Sequence, residues 1–426
     1  MEVAVILLTF LVLLLMGVPI AFSLGISAIV TLALHLDFEI AATAIAQRMA
    51  TGLDSFALLA IPFFILAGQI MNKGGIATRL INFAKAMLGA LPGGLAYVNI
   101  LACILFGAIS GSAVAAASAI GGFMNSSLEK DGYPKPFSAA VNITSATTGL
   151  VIPPSNILII YSLASGGASV AALFLAGYIP GILMGVALIV VAGIYAFKKN
   201  LPRGEKSSVK KIFVSFLDAF PSLLLLVIVM GGIIAGIFTA TEASAIAVIY
   251  AMILAFAYKE ITPRQLPGIF AESIKTTAIV LTLVACSMAM SWVLSYENIP
   301  QDVSELLLTL SDNKIIVLLL INILLLIVGI FMDMTPAVLI FTPIFLPVVT
   351  ELGISPVHFG IIMVINLCIG LCTPPVGSIL FVGLSISKVN IKDVIKPIIP
   401  FYLALIFILL LVILFPSISE WLPGQF

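Results

Sequence analysis

Gly149-Leu-Val-Ile-Pro-Pro-Ser-Asn156 is the stretch that decides the fold, because it puts two adjacent prolines in the middle of a long apolar segment. A similar stretch, Gly370-Leu-Cys-Thr-Pro-Pro-Val-Gly-Ser378, lies near the C-terminal end. Two prolines remove two backbone donors and push the residue before each of them out of the helical region. We therefore predict that each segment is two half-helices joined by an unwound stretch, here called a joint.

The composition places these joints in a membrane. Of the 426 residues, 62% are hydrophobic and 9% are charged, which predicts an all-α polytopic membrane protein. In a bilayer, an unwound joint is tolerated only where it faces protein or a water-filled cavity. Interrupted segments at matching positions in two halves indicate the ligand site of a secondary transporter. No nucleotide-binding motif is present, so we expect an ion gradient to drive any uphill transport.

Six apolar segments of roughly spanning length precede a basic linker at residues 198–211, and six follow it. We divide the chain into first-repeat scaffold helices and an arm, the first hairpin and broken helix, the linker, second-repeat scaffold helices and an arm, and the second hairpin, broken helix and last helix. These units cover residues 1–96, 97–197, 198–211, 212–313 and 314–426. The units with hairpins and broken helices form the predicted transport domain.

Landmark residues recur in the same order in both halves, at separations of 220 to 223 residues. The pairs are Asn99 and Asn322, Gly107 and Gly329, Gly132 and Gly353, Gly149 and Gly370, the two double prolines, and Pro180 and Pro400. Six ordered matches indicate an internal duplication.

Basic residues collect on the cytoplasmic side of membrane proteins, which gives the orientation of the repeats. With the linker inside, seventeen of the nineteen basic residues are inside only if residues 97–127 and 315–350 are re-entrant hairpins. Only Arg48 and Lys314 then lie outside, and the acidic group Glu297, Asp302, Glu305 and Asp312 joins them. The two repeats are therefore predicted to be inverted, with both termini on the outer, periplasmic side.

The hairpin tips, Phe106-Gly-Ala-Ile-Ser-Gly-Ser-Ala113 and Gly329-Ile-Phe-Met-Asp-Met-Thr-Pro336, are rich in oxygen atoms and small residues. Tips and joints together offer the carbonyl and hydroxyl ligands that suit Na⁺, and half-helix N-termini suit a carboxylate. The predicted Na⁺ ligands are Gly107, Ser110, Ser112, Pro153, Asn156, Gly329, Asp333, Thr335, Gly370, Thr373 and Pro374. Further polar candidates near the joints are Asn142, Thr144, Asn366 and Ser378.

Asp333 has three possible roles, because an intramembrane carboxylate is costly and functional by default. It is a cation or proton site, an acceptor for substrate hydroxyls, or a cap for the helix that starts near Thr335. Ser110, Ser112 and Ser155 are site residues, or they only permit close helix packing.

Other polar residues have ordinary interpretations. Glu242 is predicted to cap a helix, and His35 and His358 are predicted to be surface histidines near membrane boundaries. The four cysteines lie in apolar runs and are predicted to be packing residues.

The tip and joint motifs, with Thr239-Ala-Thr-Glu-Ala243 and Met332-Asp333, resemble the large membrane subunit of tripartite ATP-independent periplasmic (TRAP) transporters over essentially the whole chain. The sequences of these motifs are most similar to those of sialic acid members. The resemblance implies an elevator-type importer of organic acids in a bacterial inner membrane, coupled to Na⁺, with two or more ions. It also implies substrate and ion sites at or beside Ser110, Ser155 and Asp333.

The resemblance further implies a small membrane subunit, which we expect to be a separate chain, and a periplasmic substrate-binding protein. Within the family, C4-dicarboxylates or another sugar acid are the alternative substrates. Outside it, the alternatives are a passive channel and an intramembrane hydrolase with Ser110 as nucleophile, which lacks a histidine base at the same depth.

Overall fold

Helices carry most of the chain in the computed structural model, which describes residues 2–204, 207–311 and 313–426. Lys206 and Asp312, two of the charges used for the orientation, lie outside the described residues. The first half contains α1 (Glu2–Leu15), α2 (Ile20–Leu32), α3 (Phe38–Leu53), α4 (Ala60–Lys73), α5 (Ile76–Leu88), α6 (Gly94–Ser110), α7 (Ala113–Lys130), α8 (Lys135–Ala146), α9 (Thr148–Val151), α10 (Asn156–Ala164) and α11 (Val170–Lys199). The second half contains α12 (Val209–Ile234), α13 (Ala240–Ala257), α14 (Leu266–Tyr296), α15 (Ile299–Leu310), α16 (Lys314–Phe331), α17 (Met334–Glu351), α18 (Pro356–Cys372), α19 (Ser378–Ser387), α20 (Ile391–Leu414) and α21 (Ser417–Glu420).

Both double-proline segments are broken, as the sequence predicts. The axis bends by 52° between α8–α9 and α10, and five residues, 373–377, separate α18 from α19. Both Pro–Pro peptide bonds are cis. Side chains satisfy backbone carbonyls at the breaks, since the Ser155 hydroxyl donates to Leu150 and the Thr373 hydroxyl donates to Ile369. With the bent pair counted once, up to nine spans are long and apolar enough to cross a membrane among the described residues.

Both predicted hairpins are two helices joined by a two-residue turn. Gly111, at φ 60°, and Ser112 connect α6 to α7. Met332 and Asp333, both extended, connect α16 to α17. Ser112 and Asp333 thus occupy the same position in the two repeats, the N-cap of a second hairpin helix of 18 residues.

Each hairpin touches its own broken helix through a pair of glycines. A Cβ atom built on Gly149 would lie 2.3 Å from the Gly107 Cα atom. The second repeat repeats this contact, because a Cβ atom on Gly370 would lie 2.7 Å from the Gly329 Cα atom. Backbone therefore packs directly on backbone beside each joint, as small residues permit in membrane proteins.

The two repeats interlock around the joints. Helix α7 of the first hairpin packs on α19 of the second broken helix, and α17 of the second hairpin packs on α10 of the first. The Asn125 amide of α7 donates a buried 2.9 Å hydrogen bond to the Ser387 hydroxyl of α19. Helices α8 and α11 both pack on α20. The two hairpins and the two broken helices form one body with these contacts, and the fold is a pair of inverted repeats.

A scaffold of other helices surrounds this body. Helix α13 packs on α4, and the long α14 packs on α2, α3 and α4. Two amphipathic arms connect scaffold and body: α5 packs on α6 and α12, and α15 packs on α17.

Helix α3 has no counterpart among the predicted apolar segments. Of its sixteen residues only Ala41 and Ile45 are buried, and Glu39, Gln47 and Arg48 interrupt its apolar run. Such a helix is stabilised by the α14 surface on which it packs, and a search for membrane spans overlooks it.

The prediction that His358 is a surface histidine is wrong. His358 is only 2% exposed, and its Nδ1 atom lies 2.7 Å from the Ser419 hydroxyl. The cause is α21, which folds back over the start of α18. The sequence around His358 does not indicate that a helix about sixty residues further along the chain covers this side chain.

Two other predictions are confirmed. Thr239 and Glu242 form a capping box at the start of α13. All four cysteines are free and buried, and Cys368 and Cys372 point at the Thr147 and Ile143 carbonyls of the first broken helix.

Candidate functional site

Both hairpin tips and both joints meet at one cavity of about 470 Å³. The scaffold closes it with residues of α4 and α14. Its polar lining residues are Gly111, Ser112, Ser118 and Asn156 from the first repeat, Asp333, Thr335 and Ser378 from the second, and Gln69, Asn72 and Thr276 from the scaffold. Residues 220 or more apart in sequence therefore share one site, as the duplication predicts.

Four helices begin at this cavity. The first residues of α7, α10, α17 and α19, which are Ala113, Asn156, Met334 and Ser378, all line it. A helix N-terminus carries unpaired N–H groups and a partial positive charge. The described lining residues include no lysine or arginine. An anion in this cavity would thus be held by backbone dipoles and by any cations bound with it.

Asp333 faces the cavity and is exposed within it. Although it stands at the N-cap of α17, its side chain makes no capping hydrogen bond. The Ser378 hydroxyl of the second joint donates to Oδ1 of Asp333 at 3.5 Å, the outer limit for such a bond. The Met334 backbone N–H also interacts with this carboxylate. A carboxylate has about four acceptor sites, so acceptor capacity remains towards the cavity.

The matching residue of the first repeat behaves differently. The Ser112 hydroxyl caps α7 by accepting a 3.2 Å hydrogen bond from the Ala115 N–H. The Ser112 carbonyl in turn accepts from the Ser110 hydroxyl at 3.4 Å. In the first repeat, the hydroxyls at the hairpin tip make hydrogen bonds within the tip. In the second repeat, the tip presents a carboxylate to the cavity, so the two sides of the cavity differ chemically.

Ser110 and Ser155 lie behind the cavity lining. Ser110 is 4% exposed and Ser155 is fully buried, and neither lines the cavity. Their positions next to Gly111 and Asn156 keep them beside the site. A direct substrate contact for either serine stays a prediction. Asn142, Thr144 and Asn366 are fully buried in helix packing.

The first repeat has an orphan acceptor where Na⁺ is predicted. The Asn156 Oδ1 atom is buried without a hydrogen-bond partner, and its Nδ2 atom would lie 3.2 Å from a Cβ atom on Gly111. The adjacent tip carries the Ser110 and Ser112 hydroxyls, which are the type of oxygen ligand that hard cations prefer. The orphan Asn156 oxygen is therefore the one observation in the first repeat that agrees with the predicted Na⁺ site, which stays a prediction.

In the second repeat, the Asp333 carboxylate contacts Ser378 at the end of the joint, and Thr335 lines the same cavity. The backbone N–H of Gly377 donates to the Ile330 carbonyl at 3.2 Å, which fixes the joint to the hairpin. Thr373 lies in this joint and its hydroxyl keeps a lone pair after donating to Ile369. Thr373 does not line the cavity, and a Na⁺ site formed by these residues stays a prediction.

The scaffold residues Gln69, Asn72 and Thr276 were not predicted. Each is a polar residue near the end of an apolar segment, where a membrane boundary already explains it. Only the packing of α4 and α14 around the body brings them to the cavity.

This architecture defines a class: a helical membrane transporter built from two inverted repeats that meet at a shared cavity. Residues 7–418 match the sequence profile described as tripartite ATP-independent periplasmic transporter, DctM component. The chain belongs to this family.

Relatives of similar length support the assignment. The chain is 56% identical over 418 residues to the uncharacterized protein YgiK of Salmonella typhimurium, covering 98% of this chain and 96% of YgiK. It is 39% identical to the C4-dicarboxylate TRAP transporter large permease protein DctM of Rhodobacter capsulatus, covering 97% and 96%. It is 38% identical to the sialic acid TRAP transporter large permease protein SiaM of Vibrio cholerae, covering 96% of each chain.

A solved structure shares the fold. The YdaH transporter of Alcanivorax borkumensis, described as having an unusual topology, superposes with a TM-score of 0.66 over 87% of this chain and 86% of that one. The sequences are only 13% identical, so the likeness concerns the fold alone.

Proposed function

We propose that this transporter subunit is a secondary active importer that couples inward movement of Na⁺ to uptake of an organic acid anion. The observation that carries the proposal is the single cavity where four helix N-termini, the Asp333 carboxylate and the orphan Asn156 oxygen meet. Helix N-termini favour the anion, and the oxygen sets beside them favour the cation. Because the described lining residues include no lysine or arginine to balance the anion, its binding gains most when Na⁺ binds next to it.

For the substrate we propose a hydroxylated acid with one carboxylate, and sialic acid is the first candidate. The free Asp333 carboxylate accepts hydrogen bonds from substrate hydroxyls and repels a second carboxylate that lies close to it. Sequence similarity does not distinguish between the substrate classes, because the C4-dicarboxylate and sialic acid relatives are 39% and 38% identical to the chain. C4-dicarboxylates and other sugar acids are therefore the competitors to test.

Alternating access, in this proposal, is an elevator movement of the interlocked body against the scaffold. The cavity lies between these two parts, since α4 and α14 supply one wall. The tripartite family description supports two further partners, a small membrane subunit and a periplasmic binding protein that delivers substrate. We place the assembly in the bacterial inner membrane with both termini of this chain in the periplasm.

Uptake into liposomes tests the proposal. The chain is reconstituted with its small partner and binding protein, and accumulation of labelled sialic acid is measured with and without an inward Na⁺ gradient. We expect accumulation that requires the gradient and saturates with substrate. Uptake that ignores the Na⁺ gradient would refute coupling, and flux without accumulation would indicate the channel alternative. Unlabelled C4-dicarboxylates and sugar acids, added as competitors, rank the substrate classes.

A further inference from the structure

A second cavity, larger than the first, lies where the linker meets the first hairpin. Its volume is about 1240 Å³, and it is bounded by α5, the ends of α6 and α7, the linker and the start of α12. Four cations from four different segments line it: Lys85, Lys130, Arg203 and Lys211. No part of the proposed transport site uses this cavity.

The four cations lack carboxylate partners in the described chain. Ion pairs form next to them, where Arg79 lies 3.4 Å from Asp218 and 3.7 Å from Glu260, but none of the four takes part in an ion pair within residues 2–204, 207–311 and 313–426. Asp218 lines the same cavity and is held by Arg79. Only Asp131 remains as an uncommitted carboxylate among the described lining residues.

The linker is fixed against the α5–α6 loop. The Gly93 N–H donates to the Pro202 carbonyl at 3.2 Å, and the Gly204 N–H donates to the Gly89 carbonyl at 3.1 Å. These bonds flank Arg203 and pair it with Pro92 in an antiparallel bridge. Arg203 is therefore attached to the wall that carries Lys85.

The cavity also has an apolar wall formed by Ala86, Leu95 and Val214. Helix α12 begins at Val209 and is long and apolar enough to cross a membrane. Because the cavity lies at the start of this helix, we expect it to open at the level of the lipid headgroups. Basic pockets between helices at the membrane surface bind anionic headgroups. A phospholipid satisfies both walls, whereas a free phosphate ion satisfies only the cations.

We propose that this cavity binds the headgroup of an anionic phospholipid, with its phosphate among Lys85, Lys130, Arg203 and Lys211. Such a lipid bridges the arm and scaffold helices α5 and α12 to the base of the first hairpin. Bound lipid then stabilises the contact between the moving body and its surroundings.

Binding of cardiolipin to the purified full-length chain tests the proposal. Native mass spectrometry counts retained lipids, and thermal unfolding measures the stabilisation that specific binding produces. We expect the variant Lys85→Gln/Lys211→Gln to bind cardiolipin roughly 30-fold more weakly, since each basic residue near the surface contributes to headgroup affinity. Lys130→Gln/Arg203→Gln removes two charges from the other walls and should show a similar loss.

The matched control is Lys392→Gln/Lys396→Gln, which removes two exposed basic residues of α20 that do not line the cavity. This control should bind cardiolipin as the parent chain does. Equal losses in the control and cavity variants would overturn the proposal, and so would unchanged binding in both cavity variants. Stabilisation by inorganic phosphate equal to that by cardiolipin would overturn the assignment to a lipid. None of these readouts depends on transport, so they stand apart from the uptake test.

Discussion

At the scale of single residues, Asp333 is the strongest candidate for transport chemistry. It holds the N-cap position of α17 without capping it, while Ser112 caps the matching helix in the first repeat. Because its carboxylate lines the cavity and does not cap the helix, we propose that Asp333 binds a ligand.

We expect Asp333→Asn to abolish or reduce uptake at least 100-fold while the protein stays folded, because the change removes the only carboxylate among the described cavity residues. Initial rates of Na⁺-driven uptake in liposomes measure this. Glu305→Gln, an exposed acid of the α15 arm, is the control and should transport normally. A fully active Asp333→Asn variant would exclude this carboxylate from the site.

Ser155 makes a different prediction, because it lies behind the lining. Its hydroxyl donates to the Leu150 carbonyl across the unwound joint. Ser155→Ala leaves a buried carbonyl without that donor, which costs about 1–3 kcal/mol, and we expect uptake to be lost as the joint shifts. Ser126→Ala, at an exposed serine of α7, is the comparison. Normal uptake by Ser155→Ala would show that the joint keeps its geometry without this bond.

At the scale of elements, the glycine pairs set the distance between each hairpin and its broken helix. We expect Gly107→Ala and Gly370→Ala each to destabilise the protein by about 1–3 kcal/mol, because the added methyl group overlaps the opposing backbone. Thermal unfolding in detergent measures the loss. Gly122→Ala in α7 meets no atom within 4 Å and should be neutral or slightly stabilising. Equal melting temperatures for all three variants would contradict the close packing.

The sequence predicts features that depend on neighbouring residues, but not features that depend on contacts between distant residues. The joints can be predicted locally, because two adjacent prolines remove backbone donors and move the preceding residue out of the helical region whatever surrounds them. The hairpin tips are predicted from their small and hydroxyl residues together with the distribution of basic residues. Helix α3, the cover over His358 and the scaffold residue Gln69 depend on packing partners far away in the chain. The residues next to them in sequence do not indicate these packing contacts.

The candidate site divides in the same way. The tips and joints supply Ser112, Asn156, Asp333 and Thr335, and all four line the cavity. Ser110 and Ser155 are next to Gly111 and Asn156 in sequence, but they are buried and do not line the cavity. The sequence predicts where the helix breaks but not the direction in which each side chain points, so it does not separate these two serines from residues that line the cavity.

At the scale of the whole molecule, the inverted orientation makes a labelling prediction. In intact cells, we expect an impermeant thiol reagent to modify Gln425→Cys but not Lys392→Cys until the membrane is permeabilised. Both positions are exposed, and the four native cysteines are buried and give little background. Labelling of Lys392→Cys in intact cells, with protection of Gln425→Cys, would reverse the orientation.

The interlocked body has a consequence for biosynthesis. Because α7 rests on α19 and α10 rests on α17, the first half leaves the ribosome hundreds of residues before its partners exist. Until the second half is made, the helices of the first joint and hairpin lack these packing partners. The first half is therefore fully packed only after the second half has been inserted.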